Sequence, residues 1–220
     1  IRKDFLSNLD RTIETVNKRV YRKKNPEDRV LERRERLMQA ALQLFGTQGY
    51  ANTTIETLCS EAKVTTRHFY QVFSSREELL LAVYNQITEE LQVSLFSAMM
   101  AERQGLQEKM QQVIQALVNN YLTDSRRAQI GVLEVVGASA IVEKRRREVI
   151  HGIAIHLEQF MNALAAENQL PQRNYHWLAV ALVGGINELM AEWLMNQSLS
   201  LEQLTDEIFY LINMFMAGKN

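Results

Sequence analysis

The residues best suited to contact a partner lie in the stretch TTRHFYQVFSSREEL, residues 65–79, where a polar and basic cluster precedes a run of aromatic side chains. Arg67 can donate two hydrogen bonds to one guanine, and a threonine can bond a base edge or set its methyl group against thymine. Arg67 and His68 are poor choices for a segment that only fills a core, because burying charge is costly. The types and spacing of these residues therefore favour contact with a nucleic acid.

Two short helices and a turn must position this cluster. Residues 55–62 and 66–73 have helical apolar spacing, and residues 63–65 form a tight turn between them. This arrangement is a helix-turn-helix unit, whose second helix enters the major groove with its first residues against the bases. Phe69 and Phe73, on the other side of that helix, are expected to pack onto the helix that precedes the unit.

The ends of the helices add candidates for contact with phosphates. Thr54 and Arg76 stand at helix starts, where side chains, free amides and the positive end of the helix dipole can bind an anion. Tyr70 is expected to direct its hydroxyl toward a phosphate, and Lys63 in the turn can add a further phosphate contact. The predicted DNA-binding residues are Thr54, Lys63, Thr65, Thr66, Arg67, His68, Tyr70 and Arg76.

The distribution of charge agrees with a DNA-binding head on a separate body. The net charge is −1, but residues 1–76 hold 15 Lys and Arg against 9 Asp and Glu, whereas residues 77–220 hold 10 against 17. A basic segment attached to an acidic remainder is typical of a chain with a nucleic-acid-binding domain. Chance clustering of surface charge is the alternative.

Composition and spacing predict an all-α fold. The chain has 220 residues, of which 46% are hydrophobic and only 2 are proline, and its apolar residues recur every three or four positions. Residues 25–28, NPED, form a strong helix start, and residues 75–78, SREE, predict a capping box. Predicted helices run through residues 5–20, 26 to 46–49, 55–62, 66–73, 76–101, 105–122, 125–138, 141–168, 172–196 and 201–217.

Other classes of protein fit the sequence less well. Cys59 is the only cysteine, which excludes an internal disulfide framework and favours a reducing, cytoplasmic location. No apolar run reaches the ~20 residues of a membrane span, so we expect no membrane contact. His151 and His156 are five positions apart and lie on different helix faces, unlike a metal-binding pair four apart. We expect neither an enzyme nor a bound metal or cofactor.

Residues 32–84, ERRERLMQAALQLFGTQGYANTTIETLCSEAKVTTRHFYQVFSSREELLLAVY, resemble the amino-terminal domain of the tetracycline-repressor (TetR/AcrR) family. The shared anchors are "A…LF…GY…TT", then "I…A…V", then "FY…F", then an acidic helix start, in this order. The resemblance implies a homodimeric all-helical transcription regulator, usually a repressor, whose carboxy-terminal body binds a small molecule and dimerises through its last two helices. Two-fold symmetry would then require a pseudo-palindromic double-stranded DNA operator.

This domain organisation would divide the chain into three parts. A helical extension would span residues 1–25, the helix-turn-helix DNA-binding domain 26–75, and the ligand-binding and dimerisation domain 76–220. The extension is longer than the usual lead-in of the family, and it would act either as an arm on DNA or as an extra helix packed on the protein. Lys63 replaces a common glycine of the family's turn, and Arg67 replaces a residue that is often small, which should change the preferred operator.

The resemblance also suggests residues for the body. The effector would be apolar or amphipathic, such as a long-chain acyl compound or a lipophilic cation, and His156 or Glu134 could give it a polar contact. Predicted ligand-binding residues are Phe96, Met99, Met100, Leu117, Tyr121, Leu133, His156, Phe160 and Trp177. Predicted dimer-interface residues, on two apolar helix stripes, are Leu178, Leu182, Gly185, Leu189, Trp193, Ile208, Ile212 and Phe215. Each stripe could instead bury against its own subunit.

A second class of function is a helical scaffold. The basic amino-terminal part would then bind an acidic protein partner in place of DNA. Binding to promoter DNA, with an affinity that falls steeply with salt, would distinguish the regulator from the scaffold.

Overall fold

The computed structural model describes residues 25–101 and 105–216, and within these residues it contains helices and no strand. The predicted all-α fold is confirmed. The predicted helix over residues 5–20 and the extension up to residue 24 lie outside the described residues. The helices are α1 (Pro26–Gln48), α2 (Ile55–Ala62), α3 (Thr66–Phe69), α4 (Arg76–Met100), α5 (Leu106–Leu117), α6 (Ser125–Ala128), α7 (Ala140–Ala166), α8 (His176–Asn196) and α9 (Leu201–Met216).

Two of these helices continue with wider turns. Val118–Leu122 extends α5 and Gln129–Glu134 extends α6, both as π-helical segments. Such segments are rare and often occur at functional sites. We call residues 25–75, which contain α1–α3, the head, and residues 76–216, which contain α4–α9, the body.

Helix α1 forms the centre of the head. The Asn25 amide donates to Asp28 Oδ2 at 3.1 Å, Pro26 occupies the first turn, and Gly49 ends the helix with φ 87°. Leu37 and Phe45 are fully buried, so α1 holds α2 and α3 through an apolar face while its opposite face stays in solvent.

Helix α4 begins with a cap that differs from the predicted capping box. The Ser75 hydroxyl accepts from the Glu78 amide at 3.1 Å, as expected. The Glu78 carboxylate, however, accepts from the amide of Ser74 at 2.6 Å and from its hydroxyl at 2.7 Å, and not from the Ser75 amide. Ser74 offers two donors to one carboxylate oxygen, and these bonds lower the pKa of Glu78. The start of α4 is thereby tied to the end of the head.

The first residues of α6 lie directly against α1. A Cβ built on Gly46 would lie 2.5 Å from Arg126 Cβ and 2.8 Å from its Cα, so only glycine permits this approach. Arg126 donates from Nη1 to Gln43 Oε1 at 2.6 Å, and its Nε and Nη2 donate to Asp124 at 2.8 and 2.7 Å. Head and body therefore meet through backbone contact and a held guanidinium.

Helix α8 is apolar over most of its circumference. Its most apolar window has a mean hydropathy of 1.4, so by length and composition it could cross a membrane, and 33% of that window is buried in the subunit. An exposed stripe runs along it through Trp177, Ala181, Gly184, Glu188 and Met195. Asn187, Glu188 and Glu192 interrupt its apolar residues, which is why no unbroken run of spanning length is predicted from the sequence.

The predicted dimer stripes lie elsewhere on α8 and α9. Leu182, Ile208 and Ile212 are buried within their own subunit, with exposed fractions of 1%, 0% and 8%. Leu178, Gly185, Leu189 and Trp193 are half-buried, and the Phe215 side chain lies outside the described residues. Since α8 is apolar on several sides, its sequence could not indicate which side faces out, and the exposed stripe is rotated from the predicted one.

Replacing Gly46 by alanine is expected to lower the free energy of unfolding by about 1–3 kcal/mol, because the added methyl group collides with the Arg126 backbone. Gly152, also inside a helix, is a matched control, since a Cβ there meets only Gln92 Oε1 at 4.0 Å. Gly152→Ala should raise stability by about 0.5–1 kcal/mol through helix propensity. Urea unfolding measures both, and equal effects of the two substitutions would contradict the close approach.

Candidate nucleic-acid interface and internal cavity

The turn between α2 and α3 keeps a left-handed residue without glycine. Lys63 has φ 53° and ψ 45°, its amide donates to the Ser60 carbonyl at 3.2 Å, and the Val64 amide donates to the Cys59 carbonyl at 3.0 Å. A non-glycine residue in this conformation costs roughly 1 kcal/mol. The turn therefore retains its shape, and the lysine side chain is exposed beside the start of α3.

The first turn of α3 divides its polar side chains between structure and solvent. The Thr65 hydroxyl accepts from the His68 amide at 3.3 Å and lies 3.0 Å from His68 Nδ1. Burial raises the pKa of the Cys59 thiol, and the nearby Thr66 side chain partly offsets this. Arg67 is exposed and has no partner within the described residues, and Tyr70 is 57% exposed. Arg67 in α3 and Tyr70 directly after it thus have polar groups left for a partner.

The aromatic face of α3 fixes the helix to the head. Phe69 and Phe73 are buried, with 0% and 1% exposed, and the Arg34 guanidinium of α1 lies 4.6 Å from the Phe73 ring centre. Because α3 is only Thr66–Phe69 long, shorter than the predicted 66–73, this packing and not helix length holds its tip in place. The tip presents its polar end outward on a rigid base.

Thr54 and Arg76, the two predicted phosphate contacts at helix starts, differ in their placement. Thr54 is exposed and caps α2, accepting from the Thr57 amide at 3.2 Å. Arg76 points inward, where its Nη1 donates to the Thr53 carbonyl and its guanidinium lies 4.3 Å from the Tyr50 ring centre. Arg76 therefore fastens α4 to the loop between α1 and α2.

The body encloses an apolar cavity of about 110 Å³ between α4, α5, α7 and α8. Four methionines, which adapt easily to the shape of a ligand, are among its lining residues. Among the described residues, its polar groups are Tyr84, Thr88, Tyr121 and Asn187, and none of the lining residues is charged. The methionines are Met99, Met110, Met161 and Met190.

Only some of the predicted ligand-binding residues line the cavity. Met99, Leu117 and Tyr121 line the cavity. Phe160 is buried and Leu133 half-buried outside the lining, and His156 lies with Phe96 at a smaller pocket on the α4–α7 surface. Met100 and Trp177 are 55% and 77% exposed. Sequence periodicity does not decide on which side of its helix each of these bulky residues points, and their role in binding a ligand stays a prediction.

The two tyrosines of the cavity keep their protons at neutral pH. Burial raises the pKa of Tyr84 to about 12 and raises that of Tyr121 further above its ordinary value. Both hydroxyls are therefore uncharged groups that can donate or accept a hydrogen bond. The cavity suits an uncharged, mainly apolar group.

The π-helical end of α6 touches the cavity on one side and the head on the other. A Cβ on Gly131 would lie 1.6 Å from the Tyr121 hydroxyl, so this oxygen rests on the glycine backbone. One turn later, Glu134 Oε2 accepts from the Tyr50 amide of the head at 2.6 Å, and Oε1 accepts from Gln129 Nε2 at 2.8 Å. Glu134, considered from sequence as a ligand contact, thus binds the head instead.

The close approach at Gly131 and the bond of the Tyr50 amide were not predicted from the sequence. An isolated glycine within the helical pattern is a signal of close backbone approach, and it could have indicated Gly131. Nothing local to Tyr50 shows that its amide needs an acceptor 84 positions away. Within the described residues, no group of three His, Cys, Asp or Glu is placed to hold a metal ion.

Glu134→Ala is expected to lower the free energy of unfolding by about 1–3 kcal/mol, since the half-buried Tyr50 amide loses its acceptor. Glu134→Gln, which keeps a carbonyl oxygen, should have a smaller effect. Urea unfolding gives the stability, and hydrogen exchange gives the protection of the Tyr50 amide. Unchanged protection of that amide in the alanine variant would contradict the assignment.

Residues 37–83 match the family model described as bacterial regulatory proteins of the tetR family. The regulator HbdR of Aromatoleum sp. (strain CIB) is 38% identical over 60 residues, which are 27% of this chain and 26% of that protein. The regulator TcmR of Streptomyces glaucescens is 39% identical over 56 residues, 26% of this chain and 25% of that protein. The chain thus matches about a quarter of the length of these relatives, which are described as HTH-type transcriptional regulators.

Solved structures resemble the fold over most of its length. The fatty acid degradation regulator FadR from Bacillus halodurans has a TM-score of 0.74 at 18% identity, covering 90% of this chain and 98% of that chain. FadR from Bacillus subtilis in complex with stearoyl-CoA has a TM-score of 0.72 at 18% identity, covering 84% of this chain and 99% of that chain. These likenesses establish a shared architecture of head and body.

Proposed function

The amino-terminal domain of this chain belongs to the TetR family of bacterial regulatory proteins, and from that premise we propose that the chain is a cytoplasmic, dimeric, ligand-responsive transcription regulator. Its head, which contains the DNA-binding domain assigned to residues 26–75, binds a pseudo-palindromic operator. Its body, which lies in the ligand-binding and dimerisation domain assigned to residues 76–220, binds an apolar effector that releases the DNA, so the protein acts as a repressor. The exposed, unpaired Arg67 at the tip of a firmly packed α3 is the observation that carries the proposal.

The geometry of the head supports major-groove binding. Arg67 and Tyr70 point outward from α3, while Lys63 and Thr54 stand at the two ends of α2. An arginine can bond a guanine bidentately, and a lysine or a hydroxyl can contact phosphates. In this assignment Arg67 specifies the base sequence, the exposed groups around it set register, and Arg76 supports the head from within.

The exposed stripe of α8 supports a dimer. Trp177 and Met195 are 77% and 59% exposed, and on the adjacent α9 Tyr210 and Met214 are 63% and 57% exposed. Exposed apolar patches of this kind mark interfaces, and the same faces on two copies would form a four-helix contact with two-fold symmetry. Small residues between the large ones, such as Gly184, would let the helices approach closely.

The cavity supports an apolar effector. Its 110 Å³ is below the ~150 Å³ of an engineered cavity that holds benzene, so a longer chain must displace lining side chains. The methionines allow this, and any outward push on Tyr121 falls on Gly131 of α6. The similarity to a FadR regulator in complex with stearoyl-CoA supports a long-chain acyl effector.

Helix α6 would couple binding of a ligand in the cavity to release of DNA by the head. A ligand that binds better to the conformation with a displaced Tyr121 shifts the population toward that conformation. Because Gly131 and Glu134 lie one turn apart, the displacement reaches the Tyr50 amide and reorients the head. The spacing of the two α3 helices in the dimer then no longer fits the operator.

Arg67→Ala is expected to weaken binding to DNA from the region upstream of the gene by about tenfold or more, since a bidentate arginine–guanine contact is worth about 1–3 kcal/mol. Lys144→Ala, which removes an exposed positive charge from α7, is the matched control and should bind as the unmodified protein does. Fluorescence anisotropy at several salt concentrations measures both. Equal affinities for the two variants would rule out the α3 tip as the reading element.

Ala181→Arg is expected to convert the dimer into a monomer, because it places a charge at the centre of the exposed α8 stripe. Ala163→Arg, at an exposed position of α7, is the control and should leave the dimer intact. Light scattering coupled to size-exclusion chromatography distinguishes the two states. A dimer that survives the Ala181 substitution would place the subunit contact on another face.

A further inference from the structure

Helices α4 and α7 lie side by side and form one wall of the cavity. The Arg145 Nε donates to Asn85 Oδ1 at 2.6 Å, and the rings of Phe96 and His156 meet edge to face with centroids 5.9 Å apart. Both pairs are separated by 60 positions, so the two helices run parallel. The seam between them extends from the head side of the body to its far end.

The two ends of this seam differ. Near the head, Arg145 Nε of α7 donates to Asn85 Oδ1 of α4 and bridges the two helices. At the far end there is a small surface pocket, which we call the mouth, and within the described residues no ion pair crosses it. The mouth is lined by Gln92, Leu95, Phe96, Met99, Ile153 and His156.

Only one layer of side chains separates the mouth from the internal cavity. Leu95, Met99 and Ile153 line both. Above them Phe96 is 49% exposed, unusually open for a large ring. Movement of the Leu95 and Met99 side chains and of the Phe96 ring would therefore join the cavity to solvent without any break in a helix.

The surroundings of the mouth are apolar with two polar groups. Val93, Met100 and Ile155, each next in sequence to a lining residue, are 66%, 55% and 42% exposed. Gln92 and His156 carry polar ends that have no hydrogen-bond partner within the part of the chain that the structure describes. An apolar rim with two unengaged polar groups suits an amphiphile that crosses from water into the cavity.

Other routes into the cavity are less open in the proposed dimer. The half-buried lining residues outside α7 are Val183, Ile186 and Asn187 of α8. They neighbour the exposed stripe that a second subunit would cover. The mouth is lined by residues of α4 and α7 and by none of α8.

We propose that the mouth admits the hydrocarbon chain of an acyl effector and that Gln92 and His156 hold its oxygen-bearing head group outside the cavity. This inference rests on the proposed function of the cavity as an effector site. Phe96 acts as the gate, because its ring contacts His156 and covers the shared layer of Leu95, Met99 and Ile153.

The polar groups at the mouth favour one chemical class of ligand. No Asp or Glu lines the cavity or the mouth among the described residues, so a lipophilic cation would find no counter-charge. The Gln92 amide and a His156 ring N–H can each donate to a carboxylate or a thioester carbonyl. The mouth therefore favours an acyl compound over an alkylammonium compound of the same chain length.

Blocking the mouth tests the route. Phe96→Cys is labelled with a bulky maleimide, and Val93→Cys, on the same exposed surface but outside the mouth lining, is labelled identically as the control. Cys59 is only 5% exposed and should not react. Stopped-flow fluorescence then follows binding of parinaric acid, a fluorescent fatty acid.

The label at position 96 is expected to slow association by about tenfold or more, because it closes the gate. The label at position 93 should change the rate by less than about twofold. Phe96→Ala removes an exposed ring and should change the stability of the fold little. It should speed association and dissociation together, so that the Kd stays within about twofold. Unchanged rates in both Phe96 variants would overturn the mouth as the route.

Ligands with matched chains test the head group. Dodecanoate should bind more tightly than dodecyltrimethylammonium, and the Gln92→Leu/His156→Leu variant should lose about tenfold in affinity for dodecanoate only, since two bonds to a charged group are removed. Preference for the ammonium compound would overturn the assignment of the head-group site. If the unmodified protein binds neither ligand nor parinaric acid, the effector cavity itself fails, and the mouth with it.

Discussion

The contact between α1 and α6 is the constraint on which the rest of the structure depends. Gly46 has no side chain, so the backbone of α1 reaches the Arg126 Cα and Cβ, and Gln43 and Asp124 hold the guanidinium on either side. A larger residue at position 46 would separate the head from the body. Because both are joined at this surface, any change in the path of α6 alters where the head points.

The head itself is built to move as one unit. Phe69 and Phe73 are fully buried. Arg76 joins the start of α4 to the loop between α1 and α2 through contacts with Tyr50 and Thr53. Such close packing resists gradual deformation and transmits displacement. A signal from the body is therefore expected to reorient α3 as a whole and not to unfold it, and the binding surface keeps its own geometry in both orientations.

The body combines stability with a soft interior. Its cavity is small, four methionines are among the lining residues, and the two buried phenols remain uncharged because burial raises the pKa of Tyr84 and Tyr121. Filling such a space with a longer apolar group gains hydrophobic free energy only as the wall yields. The free energy available for release of DNA is limited to the difference in ligand affinity between the two shapes of the wall.

The helical fold, the helix-turn-helix unit and the outward polar tip of α3 follow from the sequence alone, because these depend on local spacing and capping. The helix start at residues 25–28 and the apolar face through Phe69 and Phe73 are predicted without knowledge of distant residues. The family resemblance rested on the same local pattern, which spans residues 32–84.

Packing in the folded chain is needed to learn which side of each helix faces out and which distant groups meet. Leu182 and Ile212 belong to the interior because α8 is apolar on several sides, and its orientation follows from packing against α7 and α9. Arg76 turns inward because the Tyr50 ring and the Thr53 carbonyl are within reach, and Glu134 binds a backbone amide 84 positions away. Periodicity specifies a helix, whereas its rotation and its long-range partners are set by the shapes of all the neighbours together.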